Sequence, residues 1–209
     1  MRRVIAVIFD CDGVLFDSRQ ANTLFYNHIL AHFGLPPMRE EEEAFVHMHT
    51  ADESIRYIFR GTGYEKQALR YRMEMDYAPF IQGMIPEPDL LELLRALTPT
   101  FGLAIATNRS NTISNVLQTH GLEDLFDIVI SSLDVRHPKP HPECLLKILH
   151  FFQITPEQAI YVGDSLVDSQ TARAAGVRFV AYKDPALEAD YHVSGLMDIA
   201  GLLGITRRG

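Results

Sequence analysis

The feature that most limits how this chain can fold is an apolar run that ends in two acids. Residues 4–9 are Val-Ile-Ala-Val-Ile-Phe, and Asp10, Cys11, Asp12 and Gly13 follow directly. A β-branched run of this kind predicts a strand buried in a parallel sheet. Ionised carboxylates are costly to bury without partners, so Asp10 and Asp12 need a cation, hydrogen bonds or solvent. Ligands of open α/β sheets bind at the carboxyl ends of strands, so the pair indicates metal-assisted chemistry there.

Later apolar runs alternate with amphipathic segments, which predicts an α/β fold: a parallel sheet with helices on both faces. The further strands are expected at 103–107, 128–131, 159–163 and 178–182, with a weaker edge strand at 191–193. The helices between them are expected at 89–97, 112–120, 142–152 and 166–175.

The stretch from about residue 17 to residue 83 is different, because it contains no convincing strand pattern and predicts helices. Residues 50–53, Thr-Ala-Asp-Glu, have the pattern of a capping box, and residues 66–81 predict one long helical segment. The first helix is expected to bury one face, formed by Ala21, Leu24, Phe25, Ile29 and Phe33. We interpret the stretch as an inserted unit joined by hinges near 15–18 and 83–86.

Composition excludes several classes of function. The formal net charge of −8 argues against general nucleic-acid binding, which needs a basic surface. No apolar run is long enough to cross a bilayer, and the N-terminal segment lacks the pattern of a signal peptide. The two cysteines, Cys11 and Cys144, imply no disulfide framework and are expected in the core. We therefore expect a cytoplasmic protein, monomeric or homodimeric, without nucleic-acid or membrane partners.

Three polar segments follow later predicted strands, at the edge where Asp10 and Asp12 are expected. They are Thr-Asn-Arg-Ser at 107–110, His-Pro-Lys-Pro-His-Pro at 137–142 and Gly-Asp-Ser-Leu-Val-Asp at 163–168. Each has an ordinary local explanation when taken alone: a polar turn, a solvated lysine and a helix cap. The flanking prolines hold the backbone around the lysine stiffly.

Together with the first run, these segments match in order Asp-x-Asp-Gly, Thr-Asn, Lys-Pro and Gly-Asp-x-x-x-Asp. The chain thus resembles the haloacid-dehalogenase superfamily of phosphohydrolases from residue 4 to about residue 184, with all four motifs present. The helical insertion is similar in position to the cap of the phosphoglycolate-phosphatase and β-phosphoglucomutase branch. The resemblance implies a Rossmann-like core of residues 1–16 and 84–209, and an all-helical cap domain of residues 17–83.

The resemblance also implies a magnesium-dependent phosphatase acting on a small phosphorylated metabolite, with 2-phosphoglycolate as the first candidate. Asp10 would be the nucleophile that forms an aspartyl-phosphate, and Asp12 the general acid and then the general base. Thr107 and the Asn108 amide would hold the phosphoryl oxygens, and Lys139 would neutralise charge on Asp10 and the phosphate.

The remaining acids are implied as the metal site. Asp164 would bind Mg²⁺ together with Asp10 and the backbone carbonyl of Asp12, and Asp168 would orient this shell or a metal-bound water. Charge supports a metal independently, because four ionised carboxylates against Lys139 would repel an anionic phosphate. Oxygen ligands and a phosphate substrate suit magnesium. The catalytic roles further require Asp10 to be ionised and Asp12 to carry a proton first.

Several alternatives stay open on sequence alone. A β-phosphoglucomutase-like phosphomutase shares the same core, and a phospho-accepting receiver domain shares the acid, threonine and lysine set. A dehalogenase is disfavoured because Asp12 is present, and no arginine follows either cysteine at the spacing of a cysteine phosphatase.

Residues that set substrate specificity are harder to predict. His49, Thr50, Arg56 and Arg60 are candidates in the cap, and Arg109 is a stronger candidate for phosphate binding because it follows the Thr-Asn pair. The pairs His47/His49 and His137/His141 are weaker candidates as metal ligands, since zinc sites need three or four convergent groups.

Overall fold

The first strand of the chain lies in the middle of a six-stranded parallel sheet. The structure, a computed structural model, describes residues 3–205, and the strand order of the sheet is β5-β4-β1-β6-β7-β8. These strands are β1 Ala6–Phe9, β4 Gly102–Ala106, β5 Ile128–Ile130, β6 Ala159–Gly163, β7 Arg178–Tyr182 and β8 Tyr191–Val193. Every predicted strand is confirmed to within about two residues at each end, and β8 is an edge strand as expected.

β1 is fully buried because helices cover both faces of the sheet. Val7 and Phe9 point into one apolar cluster, whereas Ile8 points into a second cluster on the opposite face. The α/β architecture with helices on both faces is thereby confirmed. The helices of this part are α6 Leu90–Leu97, α7 Ile113–Thr119, α8 Glu143–Phe152, α9 Leu166–Ala175 and α10 Leu196–Leu202, with a 3₁₀ turn at Pro156–Gln158.

Residues 19–81 contain helices and no strand. The helices are α1 Arg19–His32, α2 Glu40–Met48, α3 Ala51–Ile58, α4 Glu65–Glu74 and α5 Ala78–Ile81. The prediction of one long segment over 66–81 is wrong, because residues 75–77 separate α4 from α5. Two local features explain the break: Asp76 Oδ1 accepts a hydrogen bond from the backbone N–H of Ala78 at 2.9 Å, and Pro79 lies in the first turn of α5.

The buried face of α1 is also different from the prediction. Leu24 is 52% exposed, whereas Tyr26 and Leu30 are buried beside Phe25 and Ile29. The apolar stripe therefore includes positions 26 and 30 and leaves Leu24 outside it. A stripe that includes position 24 and one that includes positions 26 and 30 both follow helical spacing. The pattern alone therefore did not decide which edge of the stripe is buried.

The two connections to the helical insertion lie side by side. Phe16–Asp17 forms β2, which pairs antiparallel with β3, Ile85–Pro86, in a separate two-stranded sheet. These strands fall within the predicted hinges. The division into a core and a cap domain stays a prediction. The pairing of β2 with β3 supports it, because the chain enters and leaves the insertion at the same place.

No helix within residues 3–205 is both long and apolar enough to span a membrane.

Candidate active site

Polar loops from three neighbouring strands meet at the carboxyl edge of the sheet. Asp10 follows β1, Thr107 follows β4 and Asp164 follows β6. Lys139 comes from the segment between β5 and α8, and the Asn108 side chain fixes its backbone. Asn108 Oδ1 accepts from the Lys139 N–H at 3.0 Å, and Asn108 Nδ2 donates to the Lys139 carbonyl at 3.2 Å. The structure thus brings all four sequence motifs together.

Lys139 is buried between two carboxylates. Its Nζ lies 2.9 Å from Asp10 Oδ1 and 2.7 Å from Asp168 Oδ1, and it donates to the Tyr161 hydroxyl at 3.0 Å. An ammonium group has three N–H donors, so each has a protein partner. Burial lowers the pKa of Lys139, but the two carboxylates outweigh burial and raise that pKa above its ordinary value. Lys139 is therefore charged.

Asp168 uses both of its carboxylate oxygens inside the protein. Oδ1 accepts from Lys139 and from the Tyr161 hydroxyl at 2.6 Å, and Oδ2 accepts from Ser165 N–H at 3.2 Å and Ser165 Oγ at 2.5 Å. Burial raises the pKa of Asp168, but Lys139 and these hydrogen bonds lower it overall. This supports the orienting role among those considered for Asp168, because its two oxygens already accept four hydrogen bonds from the protein.

Tyr161 belongs to this network and was missed by sequence reasoning. It lies in β6, is fully buried, and joins Lys139 to Asp168 through its hydroxyl. The available signal was a hydroxyl-bearing side chain in an otherwise apolar strand, because a buried tyrosine hydroxyl needs a partner.

Asp12 forms a bidentate ion pair with Arg109. Arg109 Nε donates to Asp12 Oδ2 at 3.0 Å, and Nη2 lies 2.5 Å from Oδ1. Arg109 Nη1 donates to the Tyr77 hydroxyl at 2.9 Å and to Thr112 Oγ1 at 3.2 Å, and Nη2 reaches Asn22 Oδ1 at 3.5 Å. A guanidinium has five N–H donors, so Arg109 is saturated by the protein. Its predicted binding to phosphate stays a prediction, and the observed partner is Asp12.

The two acids of the first motif have opposite pKa shifts. Burial raises the pKa of Asp10 to about 7, despite the opposing charge of Lys139. Burial also acts to raise the pKa of Asp12, but the charge and hydrogen bonds of Arg109 outweigh it and lower the pKa to about 2. This order is the reverse of the one expected from the catalytic roles. The reason is Arg109, whose ion pair with Asp12 the sequence did not reveal.

The acidic cluster fits a hard divalent cation. Asp10, Asp164 and Asp168 each offer a carboxylate oxygen, and these oxygens all lie within 4.8 Å of one another. Burial and the neighbouring acids raise the pKa of Asp164 to about 8. Four carboxylates against Lys139 and Arg109 leave two excess negative charges when all are ionised. A group of oxygen donors with excess negative charge suits Mg²⁺.

Gly13 is required for the packing of this cluster. Its φ is +79°, and a Cβ at this position would lie 2.0 Å from Asp164 Oδ2. Only glycine combines this conformation with such close approach, so the turn after Asp12 and the position of Asp164 depend on each other.

A cavity of about 550 Å³ lies over these residues, between the sheet edge and the helical insertion. The core side of its wall includes Asp10, Thr107, Asn108, Lys139 and Asp164. The helical insertion contributes apolar, aromatic and basic side chains, among them Phe25, Tyr26, Tyr77, His47, His49 and Arg72.

Of the four predicted specificity residues in the insertion, only His49 is among the residues that line the cavity. His49 lines the cavity, with its ring stacked on Phe45. Thr50 instead caps α3 by accepting from Glu53 N–H at 3.3 Å. Arg56 and Arg60 are half-exposed and form ion pairs with Glu65 and Glu42, and their role in specificity stays a prediction.

Two cavity residues of the insertion were not predicted as specificity residues. His47 Nε2 lies 4.0 Å from Asp164 Oδ2, and both of its ring nitrogens are buried without a hydrogen-bond partner. Burial lowers the pKa of His47. Arg72 lies on α4, one turn after the buried Ala68. An arginine on the buried face of a helix was the signal that could have found it.

The remaining chemical candidates do not join the site. His137 and His141 lie near Glu143 in an exposed group, but the Glu143 carboxylate already accepts from the backbone N–H groups of Arg136 and His137. Cys11 and Cys144 are buried and unpaired, as predicted. Burial raises the pKa of both thiols, which disfavours a cysteine nucleophile.

The comparisons with known proteins identify the family of the chain. Residues 7–182 match the family model of the haloacid dehalogenase-like hydrolases. The chain belongs to this family. Curated relatives of this hydrolase include a phosphoglycolate phosphatase from Rhodobacter capsulatus, 28% identical over 96% of the chain and 95% of the relative. They also include pyrophosphatase PpaX from Bacillus velezensis, 27% identical over 98% of both chains.

A solved structure from Geobacter sulfurreducens is similar to the hydrolase over nearly its whole length. It is described as a HAD-superfamily hydrolase of subfamily IA, variant 1, and is 40% identical with a TM-score of 0.85. The alignment covers 95% of this chain and 99% of the Geobacter chain. The hydrolase is accordingly a phosphatase of the haloacid dehalogenase-like family, with the fold of subfamily IA.

Proposed function

We propose that this phosphatase is a magnesium-dependent enzyme that removes phosphate from a small phosphomonoester through an aspartyl-phosphate intermediate. The observation that carries the proposal is the position of Asp10. Its carboxylate lies at the end of the central strand, is held by Lys139 at 2.9 Å, and belongs to the same acidic cluster as Asp164.

The chain's residues divide the reaction into two displacements. An Asp10 oxygen attacks phosphorus while the bond to the leaving oxygen breaks, and Asp12 gives that oxygen a proton. Water then attacks the phosphoryl group, Asp12 takes a proton from the water, and the bond between Asp10 and phosphorus breaks. In this proposal the ion pair between Asp12 and Arg109 has to loosen before Asp12 can carry the proton that it donates.

Lys139 and the metal have complementary roles in this proposal. Asp10, Asp164 and the Asp12 carbonyl would hold Mg²⁺, which supplies positive charge for the carboxylates and the phosphate. Asp168 positions Lys139 against Asp10, and Thr107 and the Asn108 amide would hold the phosphoryl oxygens. Residues 17–83, as a cap over the cavity, exclude water from the intermediate.

2-Phosphoglycolate is the first candidate substrate. The Rhodobacter relative is named for this activity, but the Bacillus relative is named a pyrophosphatase at similar identity. The name of a relative therefore supports the candidate without deciding it, and a panel of phosphate compounds is needed.

The test is phosphate release from 2-phosphoglycolate, pyrophosphate, hexose phosphates and p-nitrophenyl phosphate, with Mg²⁺ and with chelator. We expect wild type to hydrolyse at least one compound with Mg²⁺ only, Asp10→Asn to hydrolyse none, and Asp124→Asn, an exposed acid, to match wild type. Interconversion of hexose phosphates without phosphate release would instead identify a phosphomutase. Stable phosphorylation of Asp10 by acetyl phosphate, without turnover of any compound, would identify a receiver-type protein.

A further inference from the structure

Three buried cations line the cavity over Asp10, and they differ in the donors that they leave free. Lys139 uses its three N–H donors on Asp10, Asp168 and Tyr161. Arg109 uses its five N–H donors on protein oxygens, chiefly those of Asp12. The third cation is Arg72, whose side chain is 7% exposed.

Arg72 keeps a donor without a partner. Nη2 donates to Asp52 Oδ1 at 2.6 Å and to Met73 Sδ at 3.2 Å, and Nη1 donates to Ser110 Oγ at 3.3 Å. Nε is buried and has no hydrogen-bond partner. A buried N–H without a partner costs about 1–3 kcal/mol, and buried unpaired donors are rare in native proteins. Because Arg72 also lines the cavity, a ligand bound there is a candidate acceptor for its guanidinium.

The one charged partner of Arg72 among the described residues, Asp52, holds it weakly. The Asp52 side chain is 57% exposed, and an ion pair with a solvated partner contributes only about 0–1 kcal/mol. An anion in the cavity can therefore compete with Asp52 for the guanidinium. Ser110 follows the 107–109 segment, so Arg72 reaches from the insertion to the loop that borders the phosphate position.

We propose that Arg72 is a specificity residue that binds a second anionic group, such as a carboxylate, on the leaving part of the substrate. This inference rests on the proposed phosphatase function and adds to it the chemical class of the substrate. The phosphoryl group occupies the core side at Asp10 and Lys139, and the second anion lies towards α4.

The competing explanation is that Arg72 only connects the insertion to the core through Asp52 and Ser110. The two roles have different consequences. A structural connection affects all substrates equally, whereas an anion receptor affects only substrates that carry the second charge.

The experiment measures kcat and KM for two pairs of phosphomonoesters that differ in that charge. One pair is 2-phosphoglycolate and the phosphate ester of glycolamide, and the other is 4-carboxyphenyl phosphate and phenyl phosphate. The enzymes are wild type, Arg72→Ala, Arg72→Lys and the control Arg70→Ala, an exposed arginine on the same helix.

We expect wild type to prefer the carboxylate member of a pair. Arg72→Ala should raise KM for that member about 10–100-fold, the effect of a lost hydrogen bond to a charged group, and change KM for the neutral member less than about 3-fold. Arg72→Lys should restore part of the preference, because it keeps the charge. Arg70→Ala should match wild type.

Three results would overturn the inference. They are equal losses on both members of a pair, an unchanged preference in a folded Arg72→Ala, and a wild type that hydrolyses only neutral members. Circular dichroism and the melting temperature identify a variant that fails to fold, in which case Arg72→Lys alone decides. A wild type that hydrolyses no phosphomonoester would overturn the proposed function instead.

Discussion

At the scale of single residues, the two acids of the first motif have different pKa values because each is paired with a different buried cation. Lys139 holds Asp10 and Arg109 holds Asp12. The pKa of Asp12 is lowered because its guanidinium partner is bidentate, whereas Asp10 shares Lys139 with Asp168 and has a raised pKa. Without a metal, the chain therefore favours a proton on Asp10 over one on Asp12, the reverse of the order that the proposed mechanism requires. A divalent cation beside Asp10 would favour its ionised form.

Gly13 permits a prediction at the same scale. Gly13→Ala would place a methyl group 2.0 Å from Asp164 Oδ2 in a backbone conformation that alanine rarely adopts. Because Asp164 has to move, we expect at least about a 100-fold loss of kcat/KM, as misplacement by about 1 Å produces, together with a lower melting temperature. Phosphate release and thermal unfolding measure the two effects.

The matched control is Gly63→Ala. Gly63 has a similar φ of +81°, but nothing lies within 4 Å of its Cβ position. It carries the backbone strain without the steric conflict, so we expect lower stability and unchanged kcat/KM. Equal activity of the two variants would show that the approach to Asp164 does not matter.

At the scale of secondary-structure elements, the same capping motif serves two helices with different consequences. Thr50 and Glu53 begin α3, and Ser165 and Asp168 begin α9. Glu53 is exposed, whereas Asp168 is fully buried and also binds Lys139. A sequence pattern thus predicts both helix starts, but only the fold makes one of them part of the site.

Neutralising each acid separates these two roles. Asp168→Asn removes one of the two carboxylates around a buried lysine, for which we expect a loss of about 3–5 kcal/mol of unfolding free energy. Glu53→Gln keeps a capping side chain on the surface and should cost less than about 1 kcal/mol. Urea unfolding of both variants measures the difference, and similar losses would contradict a special role for Asp168 in holding Lys139.

At the scale of the whole molecule, the buried acidic cluster makes metal-free stability depend on pH. The folded pKa values of Asp10 and Asp164 are about 7 and about 8, above the ordinary value of 3.8. The folded state therefore binds more protons than the unfolded state between about pH 4 and pH 8. Stability falls as pH rises through that window.

We expect the melting temperature in chelator to fall from pH 5 to pH 8, by about 2–4 °C for each kcal/mol lost. Mg²⁺ should raise it more at pH 8 than at pH 5, because metal binding requires deprotonated ligands. Asp164→Asn should reduce both the fall and the response to Mg²⁺. A metal response as large at pH 5 as at pH 8 would contradict this account.

The alternation of apolar runs and amphipathic segments predicted the sheet, its helices and the place of the insertion, because periodicity follows burial directly. The boundaries within the insertion were less predictable. The break before α5 depends on the hydrogen bond to Asp76 and on Pro79, and the exposure of Leu24 depends on which edge of the stripe packs inward. The helix break and the exposure of Leu24 each depend on a choice between local arrangements that fit the sequence pattern almost equally well.

The sequence by itself determined that Asp10, Thr107, Lys139 and Asp164 would meet, because residues after neighbouring parallel strands share one sheet edge. Only the tertiary structure decided the partners beyond that edge. Arg109 pairs with Asp12, Tyr161 joins Lys139 to Asp168, and Arg72 lines the cavity with its buried Nε left without a partner. These contacts depend on side-chain reach and burial across distant elements, which spacing along the chain does not encode.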